Sequence, residues 1–339
     1  MNLPTNHSYY LRRKVLKLGA GYLLAGSAGW QALAKPASLK RARRQSLALG
    51  SQVTLTALHE DGDTAARALD AAFRELEGIE ETLSIYRPDS QVSQLNRHGV
   101  LEHPHRHLVN VLTFACLISK ASKGAFDVTV QPLWEVFQEA KKRHTLPEEA
   151  NIRAARNKVD WQRVKLSPER IVLEGEGTSI TLNGIAQGYA ADCVKQVLAR
   201  AGIAHALVDC GEFSAMGASA KSAPWKVGIQ HPREEEAFVS VAQMSGRCLA
   251  TSGDYATRFS EDYRLNHLFD PRTGRSPEEL ASVSVAAPTA MAADALSTAI
   301  SVAGIDRGMR LMETFPDTDA FLVLKNGRTL KTKRFPCEA

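Results

Sequence analysis

The chain reads as an α+β protein, with mixed sheets and helices packed against them. Three observations carry this reading. Segments that alternate apolar and polar residues, the period-2 mark of a strand, come in clusters. Longer segments with apolar residues three and four apart, the mark of a helix packed on one face, lie between those clusters. The two kinds do not alternate strictly, as a parallel doubly wound sheet would require. The chain has 339 residues, 44% apolar and 23% charged, which is ordinary for a soluble protein and enough for a sizeable core.

Taken in order, the body begins at Leu47, where SLALGSQVTLTAL alternates and reads as one strand. Residues 64–83 show helical spacing, and Asp61-Gly62-Asp63-Thr64 supplies the turn and cap before them. Pro88 and Asp89 break that helix. A second helix spans 107–122, and basic and polar residues over 141–158 form an exposed helical or loop insertion. Short strands follow at 163–166, 171–174 and 179–182, then a helix over 186–201. Strands are expected in HALVDC and WKVGIQ and over 239–244, 247–251 and 282–286. Helices over 289–303 and 306–314 and a last strand in DAFLVLKNG complete the pattern.

The first residues read as an address. In LRRKVLKLGAGYLLAGSAGWQALA, Arg12-Arg13 precedes a weakly apolar stretch and Ala32-Leu33-Ala34 offers a signal-peptidase pattern. Arg-Arg-Lys-Val-Leu-Lys resembles a twin-arginine export signal. Lys17 and several glycines interrupt the run, so it makes a poor membrane span. The expectation is a signal peptide over 1–34, a linker over 35–46, one domain over 47–339 and a periplasmic mature protein. The net charge of +5 owes much to the N-terminal basic patches, and Lys and Arg elsewhere alternate with acids, so no nucleic-acid partner is called for. The five cysteines include no CxxC pair, which argues against a zinc knuckle. Most sit in apolar patterns as small core residues. Cys210 and Cys248 could bridge in an oxidising compartment, which sequence does not decide.

Three stretches carry chemistry. In APTAMAADALSTAIS, Asp294 and Thr298 are four apart and share one helix face. Oxygen donors on an otherwise apolar helix need partners if buried, and a hard cation such as Mg²⁺ is a suitable one. The alternative is an exposed face with the threonine bonded back to its own helix. In NHLFDPRTGRSP, His267 precedes the turn Asp270-Pro271-Arg272-Thr273-Gly274. A histidine there is a base only if a substrate hydroxyl lies nearby. In SITLNGIAQGYAAD, a strand runs through Asn183-Gly184 and Gly188 into a helix start. Helix-start N–H groups favour a phosphate, but the spacing is neither a dinucleotide fingerprint nor a P-loop, and a glycine that admits close packing explains it equally.

SIYRPDSQVSQLN, GAFDVTVQPLW, NGIAQGYAAD, LATSGDY, HLFDPRTG and APTAMAADALSTA occur in this order. Together they resemble the FAD:protein FMN transferase (ApbE) family, from about residue 47 to residue 324. The resemblance implies an ApbE-like flavin transferase fold over 47–339. It implies FAD as substrate, Mg²⁺ as cofactor, and transfer of FMN to a threonine hydroxyl of an acceptor flavoprotein with release of AMP. Residue by residue, it implies Asp294 and Thr298 as metal ligands, with Gly184 reaching the metal through its carbonyl. Tyr86 and Ala125, Phe126 and Asp127 match flavin- and adenine-side contacts, and His267 matches the base that takes the threonine proton. One branch of the family serves nitrous oxide respiration, where the acceptor is a membrane-bound electron-transfer protein. The chain departs from the family at Thr181 and Gln187, where an acid and a base are usual in the flavin loop. It departs again at Glu212 and Phe213. Those departures leave two other expectations open, a flavin carrier without transfer activity and an FAD diphosphatase.

Overall fold

The structure, a computed structural model, describes residues 38–219 and 223–337. The expected signal peptide over 1–34 lies outside the described residues. The chain opens with a hairpin of β1 (Lys40–Ala48) and β2 (Ser51–His59), paired antiparallel along their length. This corrects two expectations. The segment SLALGSQVTLTAL is not one strand, because Leu49 and Gly50 both have positive φ (52° and 75°) and turn the chain back in two residues. Glu80 Oε1 accepts from the Leu49 N–H and holds that turn. The expected linker over 35–46 ends early, since Lys40 onward is strand. Composition hid this, because β1 is an edge strand exposed on both faces, and its arginines guard that edge in place of an apolar alternation.

Next come α1 (Gly62–Leu83), α2 (Gln91–His98), β3 (Val100–Glu102), α3 (Arg106–Ala121), α4 (Gln131–Lys142) and α5 (Glu149–Arg156). Asp61 caps α1 by accepting from Asp63 and Thr64, as its sequence suggests. Sequence reading missed α2, which Ser90 caps at its start and Gly99 closes in the left-handed region. Then follow β4 (Val164–Leu166), β5 (Arg170–Leu173), α6 (Ala186–Arg200), β6 (His205–Asp209), β7 (Phe213–Met216), β8 (Trp225–Gln230) and β9 (Phe238–Met244). The chain ends with β10 (Cys248–Gly253), β11 (Leu280–Ala287), α7 (Ala290–Ala303), α8 (Ile305–Met312), β12 (Asp319–Leu324) and β13 (Thr329–Lys331).

The expected strand at 179–182 is absent. Asn96 takes the place of a partner strand there, its side-chain amide bonding both the N–H and the carbonyl of Ile180 at 2.8 Å. The segment is therefore extended and anchored without a ladder.

The main sheet has eight strands in the order β1-β2-β6-β7-β10-β11-β12-β13. The α+β class holds, but the sheets are not mixed: every described pairing is antiparallel. Both faces of the main sheet are covered. On one, Leu55, Val283, Val285 and Leu322 join the core beneath α1, α6 and α7. On the other, Leu58, Phe321 and Val323 pack with Trp225, Val227 and Ile229 of the β8–β9 hairpin. Adjacent residues of one strand thus serve opposite cores, as the pleat requires. β11 is buried at all eight positions, Ser282 and Ser284 included, as a strand covered on both faces must be. A third apolar cluster of Leu133, Phe137, Ile152 and Phe269 joins α4 and α5 to the 265–275 segment. All five cysteines are free thiols, so the Cys210–Cys248 bridge is not made.

Candidate flavin and metal site

The site is built on the crossing of α6 and α7. Apolar spacing puts Ala290, Ala293 and Ala295 of α7 in the core, and small side chains let α6 come close. The approach is closest at Gly188, where an added Cβ would overlap the Ala290 carbonyl and stand 2.8 Å from Asp294 Cβ. Each helix then gives a carboxylate to the N-terminus of the other. Asp294 Oδ2 accepts from Gly188 N at 3.0 Å. Asp192 on α6 accepts from Ala290 N and Met291 N, both at 2.9 Å. These are the donors that a helix start leaves unpaired.

Thus the second glycine of SITLNGIAQGYAAD admits a helix crossing, and its N–H serves a carboxylate rather than a phosphate. The first glycine faces the same place. A Cβ on Gly184 would lie 2.9 Å from Thr298 Oγ1, so residue 184 and Thr298 are immediate neighbours. Thr298 is fixed from the β10 side by Ser252, whose Oγ lies 2.9 Å from Thr298 Oγ1 and 2.7 Å from Ser297 Oγ.

Asp294 is only 3% exposed. Burial lifts its carboxyl to about 7; the Gly188 N–H pulls it down and the charge of Asp192 pushes it up. Glu212 is lifted well above the usual carboxylate range too, first by burial and then by the charge of Asp294. Its Oε2 accepts from Thr251 N at 3.1 Å. Two buried carboxyls, the charge of Asp294 raising Glu212, form with the neighbouring threonine hydroxyl an all-oxygen donor set that a hard divalent cation would neutralise.

His267 sits across the cavity, where its Nδ1 lies 3.3 Å from the Thr257 carbonyl. A carbonyl can only accept, so this bond puts the proton on Nδ1 and leaves the Nε2 lone pair free. Burial lowers the His267 pKa; the Thr257 bond and the charge of Asp254 oppose it. Asp254 is itself pinned by both Arg233 guanidinium nitrogens at 2.7 and 2.9 Å.

A cavity of about 550 Å³ joins these groups, within the range of small-ligand sites. Asp294, Thr298, Gly184, His267, Thr181 and Gln187 all line it, and Tyr86, Ala125, Phe126 and Asp127 form more of its wall. Tyr86 is 60% exposed at the rim, where its hydroxyl accepts from Asn183 Nδ2 at 3.1 Å. Asp127 has less freedom than the resemblance implies. Its oxygens accept from Thr129 N, Thr129 Oγ1 and Trp161 N, so the carboxylate chiefly ties the wall together. Burial raises it to about 6, against those same bonds. Gln187 donates to Ser51 Oγ at 3.0 Å, a neutral bond where a lysine would carry charge.

Sequence reading missed Glu212 and Ser252 as parts of this wall. The signal for Glu212 was an acid between the apolar strands HALVDC and FSAM. Ser252 gave none beyond its place in LATSGDY.

The ApbE family model matches residues 49–322. The FAD:protein FMN transferase of Salmonella typhimurium is 30% identical over 288 residues, covering 81% of this chain and 82% of that protein. The enzyme of the same name from Haemophilus influenzae is 30% identical over 272 residues, covering 76% and 78%. The crystal structure of the ApbE protein of Thermotoga maritima superposes with a TM-score of 0.79 at 26% identity, covering 88% of this chain and all of that one. The apo flavinyl transferase ApbE of Pseudomonas stutzeri gives 0.76 at 28% identity, covering 87% and 95%. A match of this extent, with the cavity, the Asp294 helix and His267 in one domain, identifies the chain as a member of the ApbE family.

Proposed function

We propose that the chain is a Mg²⁺-dependent FAD:protein FMN transferase, which moves FMN from FAD onto a threonine hydroxyl of an acceptor flavoprotein and releases AMP. The observation that carries this reading is the placing of His267 and the Asp294–Thr298 helix in the wall of one cavity. The names of the relatives support flavin transfer.

The cavity would take FAD, with Asp294, Thr298 and Gly184 serving its diphosphate. These residues would hold Mg²⁺, which when bound offsets the diphosphate charge and stabilises the departing AMP. Asp294 and Glu212 supply the negative charge that retains a cation, and Ser252 fixes the Thr298 hydroxyl. His267 Nε2 takes the proton from the acceptor threonine as its oxygen attacks the FMN-side phosphorus. The bond from that phosphorus to the bridging oxygen breaks, and AMP leaves with the oxygen. The Thr257 carbonyl holds the imidazole in the tautomer this step needs. Tyr86, at the open rim, would cover one face of the flavin.

The Arg12-Arg13 run supports export by the twin-arginine route and a periplasmic place of work. The acceptor is then a membrane-bound electron-transfer protein with its flavin domain on that side. No helix among the described residues is long and apolar enough to cross a membrane.

The test is incubation with FAD, Mg²⁺ and a threonine-bearing acceptor domain. Covalently fluorescent acceptor and an equal amount of AMP are expected, and neither with Asp294→Ala. FMN and AMP formed at the same rate without acceptor would favour hydrolysis instead. Tight FAD binding with no AMP under any condition would favour a carrier.

A further inference from the structure

We propose that Glu75, His107 and Cys193 form a second metal site, for a transition-metal dication such as Zn²⁺, outside the flavin cavity. None of the three lines that cavity. Each comes from a different helix, α1, α3 and α6, and their donor atoms all lie within 4.8 Å of one another. His107 and Cys193 are buried and Glu75 is partly open, which leaves a way in for an ion.

The spacing suits a tetrahedral ion. Bonds of about 2.0 Å to nitrogen or oxygen and about 2.3 Å to sulfur put neighbouring ligand atoms roughly 3.3–3.6 Å apart. His107 Nε2 and Glu75 Oε1 are 3.7 Å apart, too far for a hydrogen bond and near that ligand spacing. Small rotations of the partly exposed Glu75 and of Cys193 close the remainder. The other ring nitrogen, His107 Nδ1, is engaged by the Tyr189 hydroxyl at 2.8 Å. That outer contact fixes the ring and leaves Nε2 to ligate, the usual arrangement around a metal-bound histidine.

Charge points the same way. A thiolate, a carboxylate and a neutral imidazole around a dication sum to zero, so the complex can be buried without burying net charge. Binding breaks the Cys193 S–H bond, the proton goes to solvent, and the sulfur pair forms the metal bond. A nitrogen, sulfur and oxygen set selects zinc-like ions over Mg²⁺, which takes oxygens and suits the flavin cavity. One ion would pin α1 and α3 to α6, the helix whose first turn carries Gln187 and Gly188.

The experiment titrates Co²⁺ into the chelator-stripped, thiol-reduced full chain. A thiolate-to-cobalt charge-transfer band saturating at one ion per chain, and bleached by Zn²⁺, is expected. Cys193→Ser, nearly isosteric, should lose the band with an unchanged circular-dichroism spectrum. Tyr189→Phe should weaken binding about 10- to 100-fold. Asp294→Asn should keep the band, which separates this site from the flavin cavity. A folded wild-type chain with no band would show a merely hydrogen-bonded polar cluster and overturn the proposal. A band that persists in Cys193→Ser, or vanishes in Asp294→Asn, would overturn it equally.

Discussion

Gly188 gives its backbone N–H to Asp294 Oδ2 at 3.0 Å, at a helix crossing with no room for a Cβ. Gly188→Ala must push α6 and α7 apart. A loss of about 1–3 kcal/mol is expected from this overpacking, read as a lower urea midpoint. Because the same shift moves Asp294, transfer should fall further than the loss of folded protein explains. Wild-type turnover in the folded fraction would show that this contact does not position the carboxylate.

As the proposed base, His267 can take a proton only when neutral. Its folded pKa is lowered, chiefly by burial, so the acid limb of the rate profile should lie below the ordinary histidine value of 6.5. The sign for stability follows from the same shift. The unfolded chain takes up the proton more readily, so this residue costs stability as pH falls through and below 6.5. His267→Gln should cut transfer about 10²- to 10⁴-fold with FAD affinity unchanged, measured by turnover and by quenching of flavin fluorescence. An acid limb that survives in the variant would assign it to another group.

Burial and the charge of Asp294 push the Glu212 carboxyl upward. Glu212→Gln keeps an acceptor for Thr251 N and removes one acid from the pair. The metal-free protein should then melt a few degrees higher at neutral pH, at about 2–4 °C per kcal/mol for a domain of this kind. The stabilisation by added Mg²⁺ should shrink. An unchanged Mg²⁺ response in calorimetry would mean that Glu212 takes no part in holding the cation.

Tyr86 stands exposed at the rim, held to Asn183. Tyr86→Ala should weaken FAD binding about two- to tenfold, the worth of one stacked ring, and leave the rate at saturating FAD near wild type. A fall in the saturated rate with affinity intact would place Tyr86 beside the reacting phosphate instead.

Much of this architecture could be read from residue patterns, for reasons that differ by element. The helix of Asp294 was legible because its alanines repeat at helical spacing while Asp294 and Thr298 stand among them at i and i+4. The helix over 64–83 was legible from its cap. The β1–β2 turn was not, because Leu49 takes a left-handed conformation that its side chain gives no sign of. The stretch at 179–182 looked like a strand because its side chains alternate, yet Ile180 bonds the amide of Asn96 and the Thr181 N–H donates to the Val128 carbonyl. The Glu75–His107–Cys193 cluster is invisible in one dimension, since its members lie on three helices. The residues of the flavin wall came from the family resemblance, and the cavity gathers them in one place. Glu212 is the exception, a departure from the family pattern that turns out to face Asp294.

The exchange of carboxylates between α6 and α7 also bears on when this protein becomes competent. Its two halves, Gly188 with Asp294 and Ala290 with Asp192, lie 106 and 98 positions apart along the chain. Contacts of such separation form late, after the intervening loop has been closed. A nascent chain that has emerged through the flavin loop but not through α7 therefore carries the loop without the acid that completes it. Flavin capture should therefore await the finished polypeptide, and binding would then draw the last folding step toward completion.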